Sequence, residues 1–135
     1  YAEKMGVLVR DVGSRDAGEF RNLVEVSGGG HSVAGTLIRS GNEPRIVMID
    51  DHSVEVPLAN YMLVIRNDDR PGMIGIVGTI LGTAGVNISF MGLGRDRRGD
   101  HALMALASDE VIADDVLVTL NAEPGIRSAS LVQLD

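Results

Sequence analysis

The chain has 135 residues, 17 of them glycine, with two Tyr, two Phe, no Trp, no Cys and a net charge of −7. Without Cys there is no disulfide, thiolate metal site or Cys nucleophile, and that composition suits a reducing cytoplasm. The negative balance and scarcity of aromatic stacking platforms argue against nucleic acid, and apolar runs such as Tyr61–Ile65 are far too short to cross a bilayer.

In chain order, Tyr1–Gly6 reads as the last turn of a helix closed by a C′ glycine, which predicts a fragment of a longer protein. Residues 7–9, 23–26, 32–38, 45–49 and 53–56 are strand candidates. Turns are expected at 14–18, 27–30, 40–44 and 50–52, so this half reads as antiparallel β. Residues 57–60 are a short linker. The second half alternates types. A strand is expected at 61–66, then the loop Asn67-Asp-Asp-Arg-Pro-Gly72 with Pro71 at the first helical position. Met73, Ile74, Val77, Ile80, Leu81 and Ala84 follow at helical spacing, and Gly85 ends that helix. Val86–Met91 begins a second strand, a charged hairpin tip spans Arg95–Gly99, and a third strand spans His101–Ala107. A second helix opens at Asp109 or Glu110, carries Val116, Leu117 and Leu120, and breaks at Pro124-Gly125. A fourth strand covers 126–134, giving the order β-α-β-β-α-β of the ferredoxin-like unit.

Gly75, Gly78 and Gly82 fall inside the first helix, where each costs about 1 kcal/mol relative to Ala. Their spacing makes one smooth stripe. It fits tight packing on the chain's own sheet or on a neighbouring helix, and it also fits a subunit interface or ligand groove. Gly72-x-x-Gly75-x-x-Gly78 is not the dinucleotide spacing G-x-G-x-x-G. The three histidines have no metal-ligand partners at regular spacing, Asp50-Asp51-His52 reads as a solvated turn, and Asp114-Asp115 is favourable dipole placement. No catalytic residues and no metal site are expected.

The loop before the first helix carries more chemistry. A helix start offers N–H groups without intrahelical partners, which suit a carboxylate. Asp69 or Asn67 could accept from an ammonium, and Asn87 could close the site from the side. A small zwitterion fits such a place. The alternative is that Asp69 caps the helix and Asn87 ends a turn.

Leu63-Val-Ile-Arg-Asn-Asp-Asp-Arg-Pro-Gly-Met-Ile-Gly-Ile-Val, followed by Leu81-Gly-Thr-Ala-Gly-Val-Asn-Ile, closely resembles an ACT domain, the small-molecule regulatory module. Ser32-Val-Ala-Gly-Thr36 with Glu43-Pro-Arg-Ile46 resembles the intervening, allosteric substrate-binding domain that precedes it in long D-3-phosphoglycerate dehydrogenases. The resemblance implies an α+β fragment: a β-rich partial intervening domain over 1–58, then a ferredoxin-like βαββαβ ACT domain over 61–135. It implies L-serine, or a related small amino acid, bound at an interface between two ACT domains of a homo-oligomer. Asn67, Asp69 and Asn87 match the polar positions of that site, and Gly72, Met73 and Ile74 supply backbone groups for the effector carboxylate. Asn67 stands where the family often has His or Tyr. Arg45 is the candidate anion-binding residue of the intervening domain. The fragment itself would hold no cofactor, while the parent would be an NAD-dependent cytoplasmic dehydrogenase. The regulatory part of an iron–sulfur L-serine dehydratase and an assembly module without ligand are the alternatives.

Overall fold

A computed structural model describes residues 6, 8–12, 23–38, 43–96 and 99–134. The first half forms five strands, β1 (Leu8–Val12), β2 (Leu23–Gly28), β3 (His31–Ile38), β4 (Glu43–Ile49) and β5 (His52–Pro57), paired antiparallel in chain order. The second half is β6 (Tyr61–Asp68), α1 (Met73–Thr83), β7 (Ile88–Arg95), β8 (His101–Ser108), α2 (Asp114–Ala122) and β9 (Ile126–Gln133). Its four strands make a second antiparallel sheet in the order β7-β8-β6-β9, so β7 and β9 are edges. The expected α+β class and β-α-β-β-α-β order are both present.

Both helices cover one face of the second sheet. Met73, Val77 and Leu81 recur every four residues on α1, and Val116 and Leu120 do so on α2. They bury against Leu63, Ile65, Met104, Leu106 and Ala129. The opposite face of this sheet meets the first sheet, where Ile49, Val54 and Val56 pack on Met62, Leu103 and Ala105. Strand β8 is therefore covered on both sides, which explains its unbroken run Ala-Leu-Met-Ala-Leu-Ala.

The sheets touch along β5, β7 and β8 and splay apart elsewhere. A Cβ on Gly92 would lie 2.7 Å from the Glu55 carbonyl oxygen, and one on Gly94 would lie 2.8 Å from that of Ser53. These two positions on β7 need glycine because the β5 backbone fills the space of a side chain. Where the sheets diverge, an apolar cleft of about 630 Å³ opens, lined by Val26, Leu37 and Ile46 on one side and Met62, Val64 and Val132 on the other.

Several sequence expectations change. The stripe Gly75, Gly78, Gly82 does not pack on the chain's own described sheet or helix: a Cβ at any of the three would meet nothing within 4 Å. Pro71 is not the first helical residue. It precedes Gly72, whose φ of 91° and ψ of −14° are those of the third residue of a type II turn, and the helix starts at Met73. The second helix begins at Asp114 instead of Asp109 or Glu110, because the Ser108 hydroxyl accepts the Glu110 N–H at 3.1 Å and turns the chain first. Strand β6 runs two residues further than expected, which places Asn67 and Asp68 in the sheet. Strand β7 starts at Ile88 and reaches Arg95, so that Arg belongs to the strand. The expected helix end at 1–5 and the turn at 14–18 lie outside the described residues, as do parts of the 40–44 turn and the 95–99 tip.

Candidate functional site

The loop after β6 is held from three sides. The Asp68 N–H donates to the Gly125 carbonyl at 2.8 Å, and its carboxylate accepts from Arg127 at 3.0 Å. The Arg70 guanidinium donates to the Pro124 carbonyl at 3.1 Å. The Asp69 N–H donates to the Asp100 carbonyl at 3.3 Å. The β8 and β9 ends thus fix a short loop whose turn aims α1.

A cavity of about 380 Å³ opens there, lined by Asn67, Asp69, Gly72, Met73 and Ile74 together with Arg95. Five of the expected residues therefore meet in one place. No side chain caps α1, and its first turn carries no acidic residue. The reading of Asp69 as a helix cap is thereby overturned: its carboxylate pairs with the Arg95 guanidinium at 3.1 Å. The first intrahelical bond runs from the Ile76 N–H to the Gly72 carbonyl, so the N–H groups of Met73, Ile74 and Gly75 precede the ladder.

Asn67 is 2% exposed. Its amide nitrogen donates to the Asp68 carbonyl at 2.9 Å, while its Oδ1 is buried with no partner among the described residues. A buried acceptor without a donor is costly, and in a polar cavity it marks a place where a ligand donor fits. The cavity thus combines a lone acceptor, a carboxylate, a guanidinium and an open helix start, which together match an ammonium and a carboxylate on one small molecule.

Asn87 is not brought to this cavity within the chain. It lies just before β7 begins, whereas Arg95, at the far end of that strand, lines the cavity. Arg45 sits elsewhere again, over the Phe90 ring at 5.5 Å, on the wall of the apolar cleft. Arg95 was not among the expected site residues. Its signal was weak because a basic residue beside a charged tip looks like a solvated turn, and only the antiparallel register brings it opposite Ala102 and within reach of Asp69. The β6–α1 turn is no dinucleotide cradle: β6 is flanked by two antiparallel neighbours, β8 and β9.

Arg66, the residue before Asn67, leaves β6 on the side facing the first sheet and pairs with Asp50 in the β4–β5 turn. Burial alone would raise the Asp50 carboxyl, but the Ser32 N–H, His31 and Arg66 together outweigh it and hold it below the usual carboxylate range. A depressed folded value stabilises the fold fully above the ordinary pKa of 3.8 and loses that contribution as the pH falls through the lowered one. The urea-midpoint difference between wild type and Asp50→Asn is therefore expected to stay constant from about pH 7 to 5 and to shrink between about pH 4 and 2. A difference that persists unchanged at the acid end would contradict the pairing.

A ferredoxin-like sheet with two helices on one face and an open helix start at its loop end is compatible with an ACT-type α+β fold. A search against protein-family profiles finds none that matches the chain. Over nearly its whole length, however, the chain is homologous to part of D-3-phosphoglycerate dehydrogenases, which is consistent with a C-terminal regulatory fragment. It is 38% identical over 137 residues to D-3-phosphoglycerate dehydrogenase of Synechocystis sp., covering 98% of this chain and 24% of that protein. The enzymes of that name from Archaeoglobus fulgidus and Bacillus subtilis are 34% and 30% identical, with 98% of this chain and 26% of each relative covered. The chain thus spans about a quarter of the length of these curated relatives. Among its described residues, no helix is long and apolar enough to cross a membrane.

Proposed function

We propose that the chain is the regulatory part of a D-3-phosphoglycerate dehydrogenase, an enzyme of serine biosynthesis. In this reading residues 61–135 are the ACT domain and residues 1–58 a partial intervening domain. The loop site binds L-serine, and the bound state slows NAD-dependent catalytic domains that lie outside this chain. The observation that carries the reading is the buried, partnerless Oδ1 of Asn67 beside an uncapped helix start. The serine carboxylate takes the N–H groups of Met73 and Ile74, and its ammonium is shared by Asn67 and Asp69.

Two copies pair across α1 and the β7 edge. The bare stripe Gly75, Gly78, Gly82 and the exposed side chains of Ile74 and Leu93 line that side of the module. Antiparallel pairing of two β7 edges would bring the start of one strand to the end of the other, and so Asn87 of the partner subunit to the cavity. This places in one site the residue that a single chain keeps apart. Inhibition follows if serine binds one inter-domain arrangement more tightly than another. The protein works in the cytoplasm in this account.

The test is an isothermal titration of the chain with L-serine up to millimolar concentration. Saturable heat is expected. Asn67→Leu, which keeps the branching at Cγ and removes the acceptor, should weaken binding roughly ten- to a hundred-fold, the value of a hydrogen bond to a charged group. No heat with the wild-type chain would sink the reading.

A further inference from the structure

We infer that Asp50 is a positioning residue through which occupancy of the loop site is felt in the first sheet, an inference that rests on reading that site as an effector site. Asn67 and Arg66 are neighbours on β6, so their side chains leave opposite faces of the sheet. Asn67 lines the loop cavity and Arg66 reaches across to Asp50. Beside these two residues the β6–β9 register shifts, with Arg127 of β9 as the extra residue, so the neighbouring strand bulges where β6 enters the loop.

Asp50 itself is built into the first sheet. It is the one non-glycine residue among those described with positive φ, at 50°. It opens the two-residue turn between Ile49 and His52, a place where hairpin twist favours that conformation. Its N–H donates to the Ser32 carbonyl at 2.7 Å, and its Oδ1 accepts the Ser32 N–H at 2.8 Å. Its Oδ2 accepts from Arg66 and lies 3.2 Å from His31 Nδ1. One carboxylate oxygen therefore serves β3 alone, and the other lies between Arg66 of β6 and His31 of β3. Both partners of the pair are mostly screened from water, with side-chain exposures of 29% for Arg66 and 20% for Asp50.

The consequence is mechanical. A ligand donor that engages Asn67 Oδ1 shifts the backbone at 66–67. Arg66 is one residue away on the same strand, so it must either carry the Asp50 turn with it or break a partly buried ion pair. Moving the turn moves Ser32, since the turn holds it by two hydrogen bonds. The loop site and the β3–β4 hairpin thus share one element that both can bias.

Hydrogen exchange on the 135-residue chain, with and without saturating L-serine, tests this. Serine is expected to slow exchange in the loop and first turn of α1, and also to change it in β3 and the β4–β5 turn. In Asp50→Asn, which keeps the Ser32 contact and removes the charge, serine should bind within about threefold of wild type. The loop response should remain while the response in β3 is lost. Arg66→Gln, a second variant with the turn intact, should do the same, which guards against a folding defect in the first. A merely structural ion pair would lower the urea midpoint in both variants yet leave the serine-dependent change in β3 in place, and that result overturns the inference. A wild-type chain whose loop responds while β3 does not also overturns it, leaving the site intact. A chain that shows no response in the loop overturns both.

Discussion

Gly92→Val is expected to destabilise the chain by about 3 kcal/mol or more, the upper end of what overpacking costs. The reason is the identity of the obstacle. A Cβ there meets the Glu55 carbonyl oxygen at 2.7 Å and the Val54 Cγ2 at 3.0 Å. A flexible side chain could swing away, but a backbone oxygen inside a paired strand moves only if β5 moves. Displacing β5 uncovers Val54 and Val56, which are 2% and 0% exposed, and the small cluster shared by the sheets comes apart. Urea unfolding of Gly92→Val beside wild type measures the loss. A midpoint shift worth less than about 0.5 kcal/mol, the ordinary range for harmless surface changes, would mean that the sheets do not meet at β7.

The triple variant Gly75→Ala, Gly78→Ala, Gly82→Ala should behave in the opposite way. None of these positions has an atom in the way of a Cβ, and each glycine costs about 1 kcal/mol relative to Ala inside a helix. The isolated chain is therefore expected to gain roughly 2–3 kcal/mol. If the stripe exists for a second copy to approach, the same change should weaken self-association at least about tenfold. Sedimentation equilibrium and urea unfolding on one sample read both effects. A triple variant that gains stability and still pairs as tightly as wild type would remove α1 from the interface.

Much of the fold was legible because local chemistry and final structure agree. Met73, Val77 and Leu81 at helical spacing, Gly85 as the stop and the run His101–Ala107 all found their expected places. Helix and strand ends were harder, since they depend on turn chemistry. Gly72 in a left-handed conformation delays α1 past Pro71, and a Ser108 turn delays α2 to Asp114. The candidate site was half visible. Asn67, Asp69 and Gly72 to Ile74 sit together because they are close in sequence. The ion pairs that complete the surroundings, Asp69 with Arg95 and Asp50 with Arg66, join residues set together by strand register and sheet packing. Pairwise spacing in the sequence carries no record of either. The glycines misled for a related reason. The stripe on α1 drew the expectation of close packing, while the glycines that truly admit another backbone, Gly92 and Gly94, lie on β7 and gave no periodic signal.

The contact at Gly92 and Gly94 has a dynamic consequence. Interlocked side chains oppose any lateral slip, because each step forces rotamers out of their wells. At these two glycines the β5 backbone lies directly on the bare β7 backbone, with the side chains of Val54 and His52 beside it. The cluster shared by the sheets, Ile49, Val54 and Val56 on Met62, Leu103 and Ala105, interlocks beside that contact, so sliding one sheet over the other would have to repack it. A displacement of β5 is therefore handed on to β7 and β8 as a whole and is not absorbed between the sheets.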